Sequence, residues 1–153
     1  MVTKKFSCPL TGLEKKKKHV CFIGPTSVGK STLYNKLFNL NLEAGLGSTT
    51  KSASLVKETE TACYWDAPGV NDDFGFYQPE HLGFFQSMNK VFILFDRDIN
   101  DVNEIIMVLE KIGVPTRIYV RTKCDLWVSG QKPVDAQLKI DKAEIMKYDK
   151  KCK

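Results

Sequence analysis

The segment Gly24-Pro25-Thr26-Ser27-Val28-Gly29-Lys30-Ser31-Thr32 constrains this chain more than any other. It follows a short apolar run, Val20-Cys21-Phe22-Ile23, and precedes the apolar positions Leu33, Tyr34, Leu37 and Phe38 at helical spacing. The order is therefore strand, glycine loop, helix. Glycines let such a loop wrap with its N–H groups turned inward, and the helix that follows adds the partial positive charge of its N-terminus, so a phosphate is the favoured occupant. Gly-x-x-x-x-Gly-Lys-Ser is the Walker A pattern, in which Gly24, Thr26, Ser27, Val28 and Gly29 form the cradle. Lys30 brings a charge to the β and γ phosphates, and Ser31, beside Thr32, offers a hydroxyl to magnesium. A glycine-rich turn with an incidental lysine is the plainer reading, and the flanking strand and helix argue against it.

The rest of the chain keeps the same alternation. After a polar stretch with Gly45 and Gly47, residues 52–57 and 61–65 read as two strands joined by the polar Glu58-Thr59-Glu60, the second ending at Asp66-Ala67-Pro68-Gly69. Residues 70–78 read as a loop and residues 79–89 as a helix. Val91 to Phe95 is apolar without alternation, the pattern of a strand covered on both faces. Val102, Ile105, Ile106, Leu109 and Ile112 keep helical spacing until Gly113 and Pro115 end it. Residues 117–120 form a fifth strand ending in Thr122-Lys123-Cys124-Asp125, and Pro133 opens a last helix with Val134, Leu138, Ile145 and Tyr148 on or near one face. Strands alternating with helices predict an α/β fold, a mainly parallel sheet of about five strands with helices on both sides. Ligands bind such sheets beyond the carboxyl ends of the strands, where all the unusual loops fall.

At 153 residues the chain has room for one domain. Its longest apolar run is far short of a bilayer span, and Met1-Val2-Thr3-Lys4-Lys5-Phe6 leads into no apolar signal region, so the expected setting is the cytosol. Cys8, Cys21, Cys63, Cys124 and Cys152 are odd in number and contain no Cys-x-x-Cys pair, which predicts neither a disulfide framework nor a zinc site. The net charge of +5 belongs to the ends: residues 1–20 carry +5, residues 147–153 carry +3, and residues 21–146 sum to −3. That distribution argues against a dedicated nucleic-acid face. Residues 1–18 read as a basic lead-in, 19–149 as the folded domain and 150–153 as a basic tail. Contact of the lysine-rich ends with a membrane has no support beyond their charge.

Two further loops refine the chemistry. Asp66 ends a strand where it can hold a magnesium-bound water, and Gly69 has an N–H that can meet the γ-phosphate. Asp-x-x-Gly alone is also an ordinary turn. Asp125, ionised, is an acceptor only, and so matches the N1–H and 2-amino donors of guanine but nothing equivalent on adenine. The stem of Lys123 can lie over the base, and Thr122 takes the position that opens such loops.

Together the three motifs resemble those of the P-loop GTPases over Val20 to about Tyr148. The phosphate loop and Asp66-Ala67-Pro68-Gly69-Val70 look like the Era and septin-like branch. Tyr64-Trp65-Asp66-Ala67-Pro68-Gly69 and Tyr119-Val120-Arg121-Thr122-Lys123-Cys124-Asp125 are similar to the immunity-related GTPases. The resemblance implies a first switch at Ser48-Thr49-Thr50, with Thr50 preferred to Thr49 as the threonine that binds magnesium and the γ-phosphate, and a second switch over residues 69–78. It implies Ser31, Thr50 and Asp66 around the metal, Lys30, Thr50 and Gly69 around the reacting phosphate, and GTP or GDP as ligand.

Three departures qualify the resemblance. Val70 stands where Ras-type enzymes place the water-orienting glutamine, and Arg97, Arg117 and Arg121 are the only arginines, none in the first switch. Slow turnover is expected, stimulated by an activating protein or by a second copy across the nucleotide face. Ser27 takes a position where some dimerising relatives help hold a monovalent cation, with simple loop packing as the alternative. A sixth strand with its guanine-contacting loop is not visible after the last helix. Three functions remain open: a magnesium-dependent GTP-hydrolysing switch, a GTP-binding assembly module or pseudo-GTPase with little hydrolysis, and a P-loop ATPase or small-molecule kinase.

Overall fold

The computed structural model describes residues 17–42, 53–67, 79–124 and 134–149. The first apolar run lies within β1 (Lys18–Ile23), in which every residue after Lys18 is buried. The helix after the glycine loop is α1 (Lys30–Phe38). β2 (Ser54–Glu58) and β3 (Ala62–Asp66) pair antiparallel, with a bulge between Leu55 and Lys57. Their polar connection is closed by Thr59, whose N–H donates to the Ala62 carbonyl at 2.8 Å and whose Oγ1 accepts from the Ala62 N–H at 3.0 Å. α2 (Pro79–Gln86), β4 (Lys90–Phe95), α3 (Asn103–Lys111), β5 (Arg117–Arg121) and α4 (Val134–Tyr148) complete the order. A single 3₁₀ turn over Ile99–Val102 precedes α3, so Val102 lies in that turn and not in the helix itself.

The five strands form one sheet in the order β2-β3-β1-β4-β5. β1 lies parallel to both β3 and β4, and β4 lies parallel to β5. The chain leaves the central strand β1 toward one side of the sheet and later returns on the other. The glycine loop therefore sits at the topological switch point, the crevice where ligands bind in open α/β sheets. The carboxyl ends of β1, β3, β4 and β5 share that edge.

Alternation along the strands divides the core between two faces. Cys21, Ile23, Val91, Ile93 and Phe95 pack with Phe84 and Phe85 of α2, Ile105, Ile106 and Leu109 of α3 and Ile145 of α4. Val20, Phe22 and Leu94 pack on the opposite face with Val28 and Tyr34, joined by the partly buried Phe38, Phe92 and Val120. The first face has the larger core; Ile105, Ile106 and Leu109 are fully buried, each worth about 1.5–3 kcal/mol of apolar transfer.

One expected core position differs. Ile145 is buried and Tyr148 packs against the core, but Leu138 is 45% exposed. It lines a groove of about 320 Å³ with Phe95, Arg121 and Asp141. At that level α4 meets β5 through Arg121 and Asp141, so the closest contact is ionic.

Candidate functional site

The glycine loop is fixed by packing. Gly24 has φ 158°, and a Cβ there would lie 2.3 Å from the carbonyl oxygen of Leu94 on β4, so only glycine lets the loop leave β1 this close to its neighbour. Gly29, with φ 105°, caps α1 without a side-chain hydrogen bond, in a left-handed conformation that glycine adopts freely. Between them Val28 is 1% exposed and anchors the loop in the core, whereas Thr26, Ser27 and Thr32 are exposed and Ser31 is half-buried in the first turn of α1. Ser27 carries a positive φ of 62°. Lys30 folds back across the loop and donates from Nζ to the carbonyls of Gly24 and Pro25, both at 3.0 Å. Burial lowers its pKa, while the negative charge of Asp66 acts in the opposite direction.

Asp66 reaches the same edge from the strand next to the one that the loop leaves. Asp66 ends β3 directly opposite Phe22 of β1. The preceding residue, Trp65, is held on two sides: its carbonyl accepts a hydrogen bond from the buried Tyr34 hydroxyl of α1, and its indole N–H donates to His19 Nδ1 at 3.1 Å. Burial pushes the Tyr34 hydroxyl well above the ordinary phenol range, so it remains a proton donor. Burial likewise pushes the Cys21 thiol well up, keeping it protonated beside Lys30 and Asp66. Among the described residues no cluster of three or more His, Cys, Asp or Glu could hold a metal. A hydroxyl and a single carboxylate, Ser31 and Asp66, are hard oxygen donors of the kind magnesium accepts when phosphates and water supply its remaining ligands.

The end of β5 approaches the same loop from the other side. Thr122 donates from Oγ1 to the Val28 carbonyl at 2.7 Å, and its N–H bonds the Phe95 carbonyl at 2.9 Å, joining the second loop to the first and to β4. Lys123 adopts a left-handed backbone, φ 55°, and its Nζ lies 2.6 Å from Asp96 Oδ2. Burial alone would raise the Asp96 pKa, but the Lys123 hydrogen bond and charge, with Arg97 adding to them, hold it below the usual carboxylate range. Arg121, immediately before this loop, is bound through Nε and Nη2 to Asp141 of α4 at 2.6 and 2.7 Å.

The sequence-predicted residues of the phosphate loop, Asp66, Thr122 and Lys123 thus converge on one edge of the sheet. Thr49, Thr50, Gly69, Val70 and Asp125 lie outside the described residues. Asp96, Tyr34 and Asp141 were not predicted. Asp96 could have been noticed as a carboxylate following a strand end, like Asp66, whereas nothing local marks Tyr34 or Asp141. Two of the three arginines are engaged elsewhere: Arg117 and Arg121 have side chains only 2% and 4% exposed, each paired with carboxylates.

Residues 19–124 match the model of a family described as 50S ribosome-binding GTPase. No curated protein matches the chain. Among solved structures, one described as the crystal structure of a probable GTP-binding protein engB superposes with a TM-score of 0.61 at 19% identity. The match covers 86% of this chain and 82% of that one, and establishes likeness of fold.

Proposed function

Because the chain belongs to the 50S ribosome-binding GTPase family, a family of P-loop G domains, we propose that it is a magnesium-dependent GTP-binding protein that hydrolyses GTP slowly and acts as a switch. The observation that carries this reading is the hydrogen bond from Thr122 to Val28, which joins a loop suited to guanine to a loop suited to phosphate. In this reading the N–H groups around Gly29 and the N-terminus of α1 receive the phosphates, and Lys30 Nζ donates to them from its place on the loop carbonyls. Ser31, Asp66 and Thr50 would hold magnesium, which when bound neutralises charge on the phosphate oxygens. Thr50 and Gly69 add N–H donors at the γ-phosphate.

A water oxygen bonds to the γ-phosphorus as the bridge to the β-phosphate breaks, giving GDP and inorganic phosphate, with the water's proton passing to solvent. Val70 cannot orient that water by hydrogen bonding, and the two buried arginines are committed to carboxylates, so turnover is slow until an activating protein or a second copy across the nucleotide face supplies the missing group. If no such group arrives, the chain is a GTP-binding assembly module, the reading that Val70 favours.

The domain is assigned to residues 19–149, with basic extensions on both sides. The phosphate loop, Asp66-Ala67-Pro68-Gly69-Val70 and Tyr119-Val120-Arg121-Thr122-Lys123-Cys124-Asp125 favour the Era and septin-like branch and its immunity-related members. A cytosolic setting fits the free thiols of Cys21, Cys63 and Cys124. Ribosome binding, which the family's description names, is not carried over, because the chain's excess lysines lie near its ends rather than on the body of the sheet.

Asp125→Ala tests the assignment. Binding of GTP and ATP to the purified protein should show a guanine preference that the substitution reduces by about 100-fold, the scale of two charge-assisted hydrogen bonds lost together. An unchanged preference would instead favour a P-loop ATPase or small-molecule kinase. Phosphate release measured on the same sample separates a hydrolase from an assembly module.

A further inference from the structure

Resting on that guanine-nucleotide reading, we propose that Asp141, on α4 and outside every loop of the site, is a positioning residue for base recognition that sets the place of Lys123 through Arg121 and Asp96. The second loop leaves β5 directly after Arg121, and the guanidinium of Arg121 joins three elements. Its Nε and Nη2 grip both oxygens of Asp141 at 2.6 and 2.7 Å, and its Nη1 donates to the Asp96 carbonyl, at the end of β4, at 3.1 Å. Its Cζ lies over the Phe95 ring, 5.0 Å from the centroid. Arg121 and Asp141 side chains are 4% and 6% exposed, so the fork is dry and its geometry exacting. Gln137, one turn earlier on α4, donates to Asp141 Oδ1 at 2.9 Å and orients the carboxylate.

Asp96 is the next junction. Its carbonyl takes Arg121 and its carboxylate takes Lys123 Nζ at 2.6 Å, so two intermediate residues, Arg121 and Asp96, lead from Asp141 to the lysine whose stem is assigned to the base. Lys123 also holds a left-handed backbone, φ 55°, which a residue with a side chain keeps only when its surroundings enforce it. The other end of β5 supplies an internal control. Arg117 grips Asp149 through Nε and Nη2, both at 2.7 Å, but lies at the opposite end of the strand from the site. Both pairs fasten α4 to the sheet, and only one of them leads to a loop.

The experiment compares full-length wild type and Asp141→Asn, measuring competition of GDP, ADP and inorganic pyrophosphate against a fluorescent guanine nucleotide in the presence of magnesium. The expected result is a loss of about tenfold in GDP affinity with pyrophosphate affinity within about twofold, and recovery to within about threefold in Asp141→Glu. Asp149→Asn should lower the melting temperature and leave the ratio of GDP to pyrophosphate affinity unchanged. Unaltered GDP affinity in Asp141→Asn, or equal losses for GDP and pyrophosphate, would overturn the inference. If Asp141→Asn does not fold, Arg121→Lys, which keeps a cation but loses the fork, must shift the same ratio, and an unshifted ratio overturns the proposal. A wild-type protein without preference for GDP over ADP would overturn the guanine reading and this inference together, whereas a wild type that prefers GDP, with the ratio of GDP to pyrophosphate affinity unshifted by the substitution, overturns this inference alone.

Discussion

The two loops that meet at the Thr122 to Val28 hydrogen bond are supported by opposite chemistries. The phosphate loop leaves a strand whose last three residues are at most 2% exposed, and it packs its own Val28 into the core. The base loop leaves β5, in which all five residues are only half-buried, and Arg117 and Arg121 add ion pairs to the apolar contacts of Ile145 and Tyr148 in fastening α4 alongside. Apolar packing is non-directional and insensitive to the charge of any single group, whereas a buried ion pair fails when either partner is neutralised. In the proposed reading, phosphate binding thus rests on a support that charge changes do not reach, and base recognition on one that they do.

The largest break in that comparison should come from Asp149→Asn. It leaves the buried Arg117 short of a carboxylate, although Glu110 and the Val114 carbonyl remain bound to it, and a loss of about 3 kcal/mol in unfolding free energy is expected by denaturant titration. On the packed side, Tyr34→Phe removes the hydroxyl that satisfies the Trp65 carbonyl and should cost about 1–3 kcal/mol by the same measurement.

The smallest effect sharpens the contrast through pH. Asp96 titrates below its ordinary value in the folded protein, so the unfolded chain binds more protons there. Its contribution is complete above about pH 4 and is lost as pH falls through the lowered folded value. With the Lys123 side chain 38% exposed, solvent limits the pair to less than about 1 kcal/mol, and Asp96→Asn should flatten the acid limb of the stability profile by that amount.

What could be read in the sequence was what repeats locally or carries a motif. The strand, loop and helix from Val20 to Phe38, the hairpin closed by Thr59, and the strand before Asp96 each announce themselves through the period of their apolar residues or through turn chemistry. Their arrangement at one sheet edge follows from the parallel strands. The ionic fastening of α4 was not legible, because Asp141 and Asp149 lie 20 and 32 residues from the arginines they meet, and nothing in a helical period distinguishes a carboxylate facing an arginine from one facing water. Leu138 was misplaced for the same reason: its spacing to Ile145 fits one helix face, but the arginine and aspartate fill the nearest space. Tyr34 reads as a core aromatic, and its hydroxyl finds the Trp65 carbonyl only because α1 crosses the sheet where it does.

Trp65 gives the molecule a further property. Its indole is 5% exposed, donates to His19, packs edge-on to Phe84 at 5.8 Å and immediately precedes the carboxylate at the end of β3. A shielded indole beside the proposed nucleotide edge would serve as a native optical probe. Small displacements of that strand end would change the surroundings of its excited state, so its emission is expected to follow events at the proposed phosphate site without a label attached to the protein.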